Sequence, residues 1–397
     1  MPHPHPRIQY FLSHRSHIVQ PGDEIWDTSV PLSRQCFLDE EVDQIGIAVS
    51  YGDYFNAVHA FLEDDQFKPL TDAASKFLKR QVVAGDIDEI VICLEKHGEF
   101  YHPARVEVFS SDPKLPFVVN VAISEAGKKV MQKDFANIKK LNRRFPYPFL
   151  PDVYCEGETA IKNDAFKIRM FLGQWLDGYH EFHLSGNHAA VADDLVVWDP
   201  VQGVIHLTAE QRLEVYRQAA MILTAYYNLE TFEQIFAWHH AAGDFVVKAE
   251  QRSNKIDVKL VTVRKYAPLF NATSADTETL FQALLLFLLN LSLRMRLDRL
   301  DGVGDMAWAD DRAVAGTVQG FFDGLALQTQ FHIIPQEIPT VLEGYLTALS
   351  ADDTLDLLKA IVGRFPSQSP ETRLITSNIE NHATTVYRHI TANLQSA

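Results

Sequence analysis

Cysteine is scarce in this chain. Cys36, Cys93 and Cys155 are odd in number and lack CxxC spacing, which argues against a disulfide framework or thiolate zinc site and points to a reducing cytoplasm. Positive charge is also short: 36 Lys and Arg stand against 52 Asp and Glu, a net charge of -16. Such a surface repels nucleic acid and anionic membranes, so neither is expected as a partner. No long hydrophobic run is present either. The most apolar stretch, Leu280 to Leu293, is interrupted by Gln282, Asn290 and Ser292 and falls short of the ~18 apolar residues of a membrane span. The opening residues, Met1 to Pro6, alternate Pro and His and carry no apolar signal core. No internal repeat or low-complexity linker appears. Local basic clusters exist at Lys139, Lys140, Arg143 and Arg144 and again at Arg294, Arg296 and Arg299. Both fall near predicted helix ends, where cations suit the dipole.

What is present is a large apolar inventory, 47% of 397 residues, enough for the cores of two or three lobes. Residues 1–86 mix short apolar runs with a helix-like segment, Leu70 to Val82, and are set apart as an N-terminal extension of unknown role. From Ile87 the texture is that of strands: Ile87 to Leu94, a turn at Lys96-His97-Gly98, a period-two run from Arg105 to Phe109, and Phe117 to Ile123. An amphipathic helix follows, with Val130, Phe135, Ile138 and Leu141 on one stripe, ended by Pro146 and Pro148. Two further strands are predicted at Val153 to Cys155 and Ile168 to Leu172. Three strands, one helix and two strands make a small α+β lobe.

Beyond a polar stretch rich in His, Asp and Gly, helices dominate. Thr208 and Gln211 form a capping-box pattern before a helix carrying Leu213, Tyr216, Ala220, Leu223 and Tyr227. A two-strand hairpin is predicted from Phe245 to Lys248 and Val258 to Val263. Helices are expected over Leu280 to Leu300, Ala313 to Leu327, Ile338 to Leu349 and Pro370 to Leu394, the last with Ser369 as N-cap. Between the first helix and the hairpin stands Trp238-His239-His240-Ala241-Ala242-Gly243-Asp244.

This order of elements over residues 87 to 270 resembles the protein kinase-like superfamily, most nearly its aminoglycoside phosphotransferase-like branch. The resemblance implies a two-lobed α+β fold, with a small β-rich lobe and hinge over residues 87–178 and a mainly helical lobe over 179–397. It implies ATP and Mg²⁺ as cofactors and a nucleotide or other small molecule as ligand. Gln174, Trp175 and Leu176 match the hinge. His239 and Asp244 match the catalytic base and a metal ligand, five positions apart. Asn120 and Asp134 match the positions of the family's phosphate-binding lysine and its partner glutamate. Departures from the pattern are chemical. Asn120 supplies no cation, the run Val258 to Tyr266 contains no second metal-binding acid, and the turn at Gly98 has too few glycines to cradle phosphate. These point to a pseudokinase or an atypical phosphotransferase with an altered centre.

Two other constellations compete. His239-His240-Ala241-Ala242-Gly243-Asp244 also resembles the HHxxxD portion of the motif of acyl-transfer enzymes. That resemblance implies His240 as general base, Asp244 as its structural partner, and a helix after Asp244. His180, His183 and His188 with Asp193, Asp194 and Asp199 form a donor-rich run in which His180 and His183 would share a helical face, yet no tight metal motif is present. Solvated or packing roles are expected for these, and for His97 and His102.

Overall fold

The structure, a computed structural model, describes residues 6–13, 17–31, 48–98, 100–110, 114–162, 164–186, 191–192, 194–236, 238, 243–250, 254–269, 276–302 and 304–396. The class is α+β. The chain divides into two units, one of residues 1–142 and 151–177, the other of residues 143–150 and 178–397.

The first unit is built on a seven-stranded sheet. Its strands are β1 (Arg7–Leu12), β2 (His17–Val19), β3 (Ile87–Leu94), β4 (Ala104–Ser110), β5 (Leu115–Ala122), β6 (Val153–Ile161) and β7 (Phe166–Gln174), in the order β2-β1-β3-β4-β5-β7-β6. Only the β1–β3 pairing is parallel; the others are antiparallel. Residues 1–86, set apart as an extension on sequence, supply two of these strands and the helix α1 (Tyr51–Leu78). The physical reason is burial. Ile90, Ile92, Val106, Phe117, Val119, Val121, Met170 and Leu172 line one face of the sheet, and Tyr54, Phe55, Val58 and Leu62 of α1 cover it in one apolar cluster. Each such side chain contributes about 1.5–3 kcal/mol when removed from water. Helix α1 opens on a capping box of Ser50 and Asp53 and breaks at residues 64–67. Pro69 follows the break, where its missing N–H costs no helical bond.

Helix α2 (Glu125–Arg144) lies on the opposite face of the sheet, with Phe135 against Phe171 at 5.6 Å between ring centroids. Arg143 and Arg144 stand in its last turn, as the sequence led us to expect, and suit its dipole.

The second unit opens with β8 (Phe182–Ser185), β9 (Val191–Ala192), β10 (Asp194–Asp199) and β11 (Gly203–His206), then α3 (Ala209–Ala225). Among the described residues, the polar stretch before α3 contributes strands: β11, β10 and β8 pair in that order. Short strands β12 (Glu233–Ile235), β13 (Phe245–Ala249), β14 (Ile256–Leu260) and β15 (Tyr266–Pro268) follow. β13 and β14 form the expected hairpin. Helix α4 (Thr277–Arg294), strands β16 (Leu297–Arg299) and β17 (Met306–Ala309), and helices α5 (Asp311–Gln330), α6 (Ile338–Leu346), α7 (Ala351–Val362) and α8 (Pro370–Ser396) complete it. Both predicted caps are made: Gln211 N–H donates to Thr208 Oγ1 at 3.2 Å, and Thr372 N–H donates to Ser369 Oγ at 3.1 Å.

Helices α3 and α5 pack with their backbones almost touching. Gly316, Gly320 and Gly324 line the contact face of α5; a Cβ on Gly316 would stand 2.7 Å from Leu213 O, and one on Gly320 would overlap Arg217 O. Aromatic rings of the segment 143–150 pack at the C-terminal end of α3, where Phe145 and Tyr147 meet the C-cap residue Tyr226 at 5.4 and 5.7 Å. Among the described residues, no helix is long and apolar enough to cross a membrane.

Candidate functional site

Asp244 begins the hairpin β13–β14 and is fully buried. Its backbone carbonyl accepts from Val261 N–H at 2.8 Å, so the residues following β14 are held beside it. Two of them reach its carboxylate. Thr262 Oγ1–H donates to Asp244 Oδ1 at 2.6 Å, and the Arg264 guanidinium contacts both oxygens, Nη2 to Oδ1 at 2.6 Å and Nη1 to Oδ2 at 2.9 Å. This two-pronged pairing matches the planar fork of arginine to the two lone-pair edges of a carboxylate. Trp238 packs edge-on against Phe245, 5.9 Å between ring centroids, and closes the apolar side of the same corner. His239 and His240, the two candidate bases, lie outside the described residues.

The donor set around Asp244 does not fit Mg²⁺. A hard dication takes oxygen ligands in octahedral array. Here both carboxylate oxygens already face a fixed guanidinium cation, which would repel a second cation at close quarters. The strand that follows Asp244 also corrects an expectation: residues Phe245–Ala249 are extended, where the acyl-transfer resemblance implies a helix.

The remaining sequence-derived candidates lie in the first unit. Asn120 sits on β5 directly opposite Phe171 of β7, so both point to the face that α2 covers. Asp134, on α2, is fully buried and accepts from Tyr101 Oη–H at 2.6 Å. Gln174 ends β7 with its backbone N–H donating to Asp152 O at 2.8 Å, and its side-chain oxygen accepts from Asp152 N–H at 3.2 Å. Trp175 receives the Arg105 guanidinium over its ring at 5.7 Å, and Leu176 is half-buried beside it in sequence. One sheet and its helix thus carry Asn120, Asp134 and Gln174.

The face carrying Asn120 also holds a chain of charges the sequence reading passed over. Arg105, opposite Val118 in the ladder, pairs with Glu95 at 2.6 Å and with Glu107 at 3.4 Å, and Lys114 pairs with Glu107 at 2.9 Å. Two carboxylates and two cations neutralise one another there. The period-two pattern Arg105-Val106-Glu107-Val108 was its signal: the charges alternate with core residues and must share the second face.

The histidine groups resolve into packing and pairing. His180 and His183 do not share a helical face: His180 bridges to Val247, and His183 lies on β8. His183 is buried against the Trp198 ring at 4.6 Å between centroids and stands 4.0 Å from Asp298. His180 pairs with Asp199 at 3.5 Å, while His188 and Asp193 lie outside the described residues. His97 Nδ1 and His102 Nδ1 share a hydrogen bond of 3.1 Å; burial, with the neighbouring His97, pushes the His102 pKa down to about 4. Among the described residues no group of three or more His, Cys, Asp or Glu is arranged to hold a metal ion.

No protein-family model matches the sequence, and no curated protein is significantly similar to it.

Proposed function

We propose that this chain is a kinase-like binding module, a pseudokinase with a two-lobed fold, that takes a nucleotide or similar small ligand without assembling a metal centre for phosphoryl transfer. The observation that carries the reading is the Asp244–Arg264 pair. At the position where the resemblance implies a metal ligand, the carboxylate is engaged by an arginine of the same chain and by Thr262. Asp134 supports it from the first unit: where the resemblance implies an acid that pairs with a phosphate-binding lysine, the carboxylate accepts from Tyr101, and Asn120 stands at the lysine position. With neither cation-organising acid at liberty, transition-state charge on a transferring phosphoryl group would lack its usual stabilisers.

Ligand recognition is assigned to the hinge segment Gln174, Trp175 and Leu176, and the setting to the cytoplasm, in keeping with Cys155 as a free thiol. A thermal-shift titration with ATP, then with ATP and Mg²⁺, tests the proposal through linkage between binding and stability. The expected result is a rise in melting temperature with ATP, no further rise with Mg²⁺, and no release or transfer of labelled phosphate. Turnover of ATP in the presence of Mg²⁺ would overturn the pseudokinase reading, and no shift with ATP in either condition would remove the nucleotide.

A further inference from the structure

Arg294 ends α4 in an unusual environment. Its guanidinium lies over the ring of Phe236 at 4.6 Å and over the ring of Phe365 at 5.1 Å, so two aromatic side chains attend one cation. Ring faces attract the positive charge through their quadrupoles, but they offer nothing to the in-plane N–H donors. Arg294 Nε is buried and has no hydrogen-bond partner, and among the described residues no ion pair or hydrogen bond is made by any nitrogen of this side chain. Burial lowers its pKa, and the acid whose field opposes this is Glu371, in the first turn of α8. All three side chains, Phe236, Arg294 and Phe365, are half-buried, so each keeps part of its surface in solvent.

Arg296, two residues on, shows how this fold uses an arginine for structure alone. It stacks on Trp308 at 4.9 Å, donates from Nε to Ala309 O at 2.8 Å and from Nη2 to Asp311 Oδ1 at 3.2 Å. Arg294 has the stacking without the acceptors. A guanidinium within reach of two rings, with Nε making no hydrogen bond in the fold, is suited to a planar or tetrahedral oxyanion, because the aromatic contacts restrict the side chain before the ligand arrives.

We propose that Phe236, Arg294 and Phe365 form an oxyanion-binding slot, which takes the carboxylate or phosphate group of a small acidic ligand. Phe236 immediately precedes the segment that carries Trp238, His239 and His240 in sequence, and its backbone N–H is fixed by Lys265 O at 3.0 Å. The slot stands on its own residues and does not depend on nucleotide binding.

Thermal-shift and calorimetric titrations with inorganic phosphate and with succinate, against sodium chloride at matched ionic strength, test it and tell the two oxyanions apart. Wild-type protein should be stabilised by one or both beyond the chloride control. Arg294→Gln should weaken that binding about tenfold or more, the scale of a charge-assisted hydrogen bond. Arg294→Lys, which keeps the charge but loses the guanidinium fork, should also weaken it and guards against a glutamine variant that fails to fold. Glu371→Gln should tighten it by removing a competing negative charge. Stabilisation no greater than chloride gives, or full binding retained in Arg294→Lys or Arg294→Gln, would overturn the proposal.

Discussion

Arg264 grips both carboxylate oxygens of Asp244, at 2.6 and 2.9 Å, at the foot of the β13–β14 hairpin. The pair is asymmetric in its consequences. The carboxylate is fully buried, and removal of its cation would leave a charge in low dielectric, where the Thr262 hydroxyl does not neutralise it. Arg264→Ala should therefore destabilise the protein by about 3–5 kcal/mol, the range for breaking a buried ion pair from one side. Urea denaturation at neutral pH measures it, and a loss below about 1 kcal/mol would mean the pair is solvated.

Acid sensitivity should come from buried neutral histidines. Burial holds the His102 pKa down at about 4 and the His382 pKa down at about 3. In the unfolded chain both titrate near ~6.5. Between those values the unfolded state binds more protons, so stability is complete above about pH 6.5 and declines as pH falls toward about 4. For His102 the span of about 2.5 units at about 1.4 kcal/mol each gives about 3–4 kcal/mol as its full share. Urea midpoints from neutral pH down to about pH 4.5 should fall, and His382→Gln should flatten the slope. A midpoint independent of pH across that range would contradict the neutral burial of both rings.

Gly320 sets the distance between α3 and α5. A methyl group there would overlap the Arg217 carbonyl, which is backbone and cannot swing aside. Gly320→Ala should cost about 1–3 kcal/mol or more by overpacking, although alanine is the better helix former. Gly344, whose Cβ position is open, is the control: Gly344→Ala should be neutral or stabilising when melting temperatures are compared.

Tyr101 reaches Asp134 from the turn before β4, with its hydroxyl 2.6 Å from the carboxylate. Tyr101→Phe removes that donor and keeps the ring. A loss of about 1–3 kcal/mol is expected, as for a buried acceptor deprived of a partner. Unchanged stability in the phenylalanine variant would show that Asp134 is satisfied without it.

The sequence made the strands Ile87–Leu94 and Ala104–Ser110 legible because β-branched and alternating residues report burial directly, and the caps at Thr208 and Ser369 because a single side chain makes each. It did not show that Arg7–Leu12 pairs in parallel with Ile87–Leu94, since that register joins segments some 80 residues apart in sequence. The site divides in the same way. The run Val258 to Tyr266 contains no acid but does contain Arg264, and both facts are legible in the sequence. That Arg264 turns onto Asp244 depends on the hairpin pairing, which brings the two ends of β13–β14 together. In sequence Arg294 is a helix-end cation and no more, because nothing in the pattern reveals that Phe236 and Phe365 converge on it.

Asp244 is paired with Arg264 on both oxygens, so the proposed nucleotide binding should not need a metal at this carboxylate. Calorimetric titration of the wild-type protein with ATP, once with excess Mg²⁺ and once with EDTA, tests it most directly. Affinities that agree within about threefold, a difference of less than about 1 kcal/mol, are expected. Binding at least about tenfold tighter with Mg²⁺, accompanied by hydrolysis or transfer of the terminal phosphate, would contradict it.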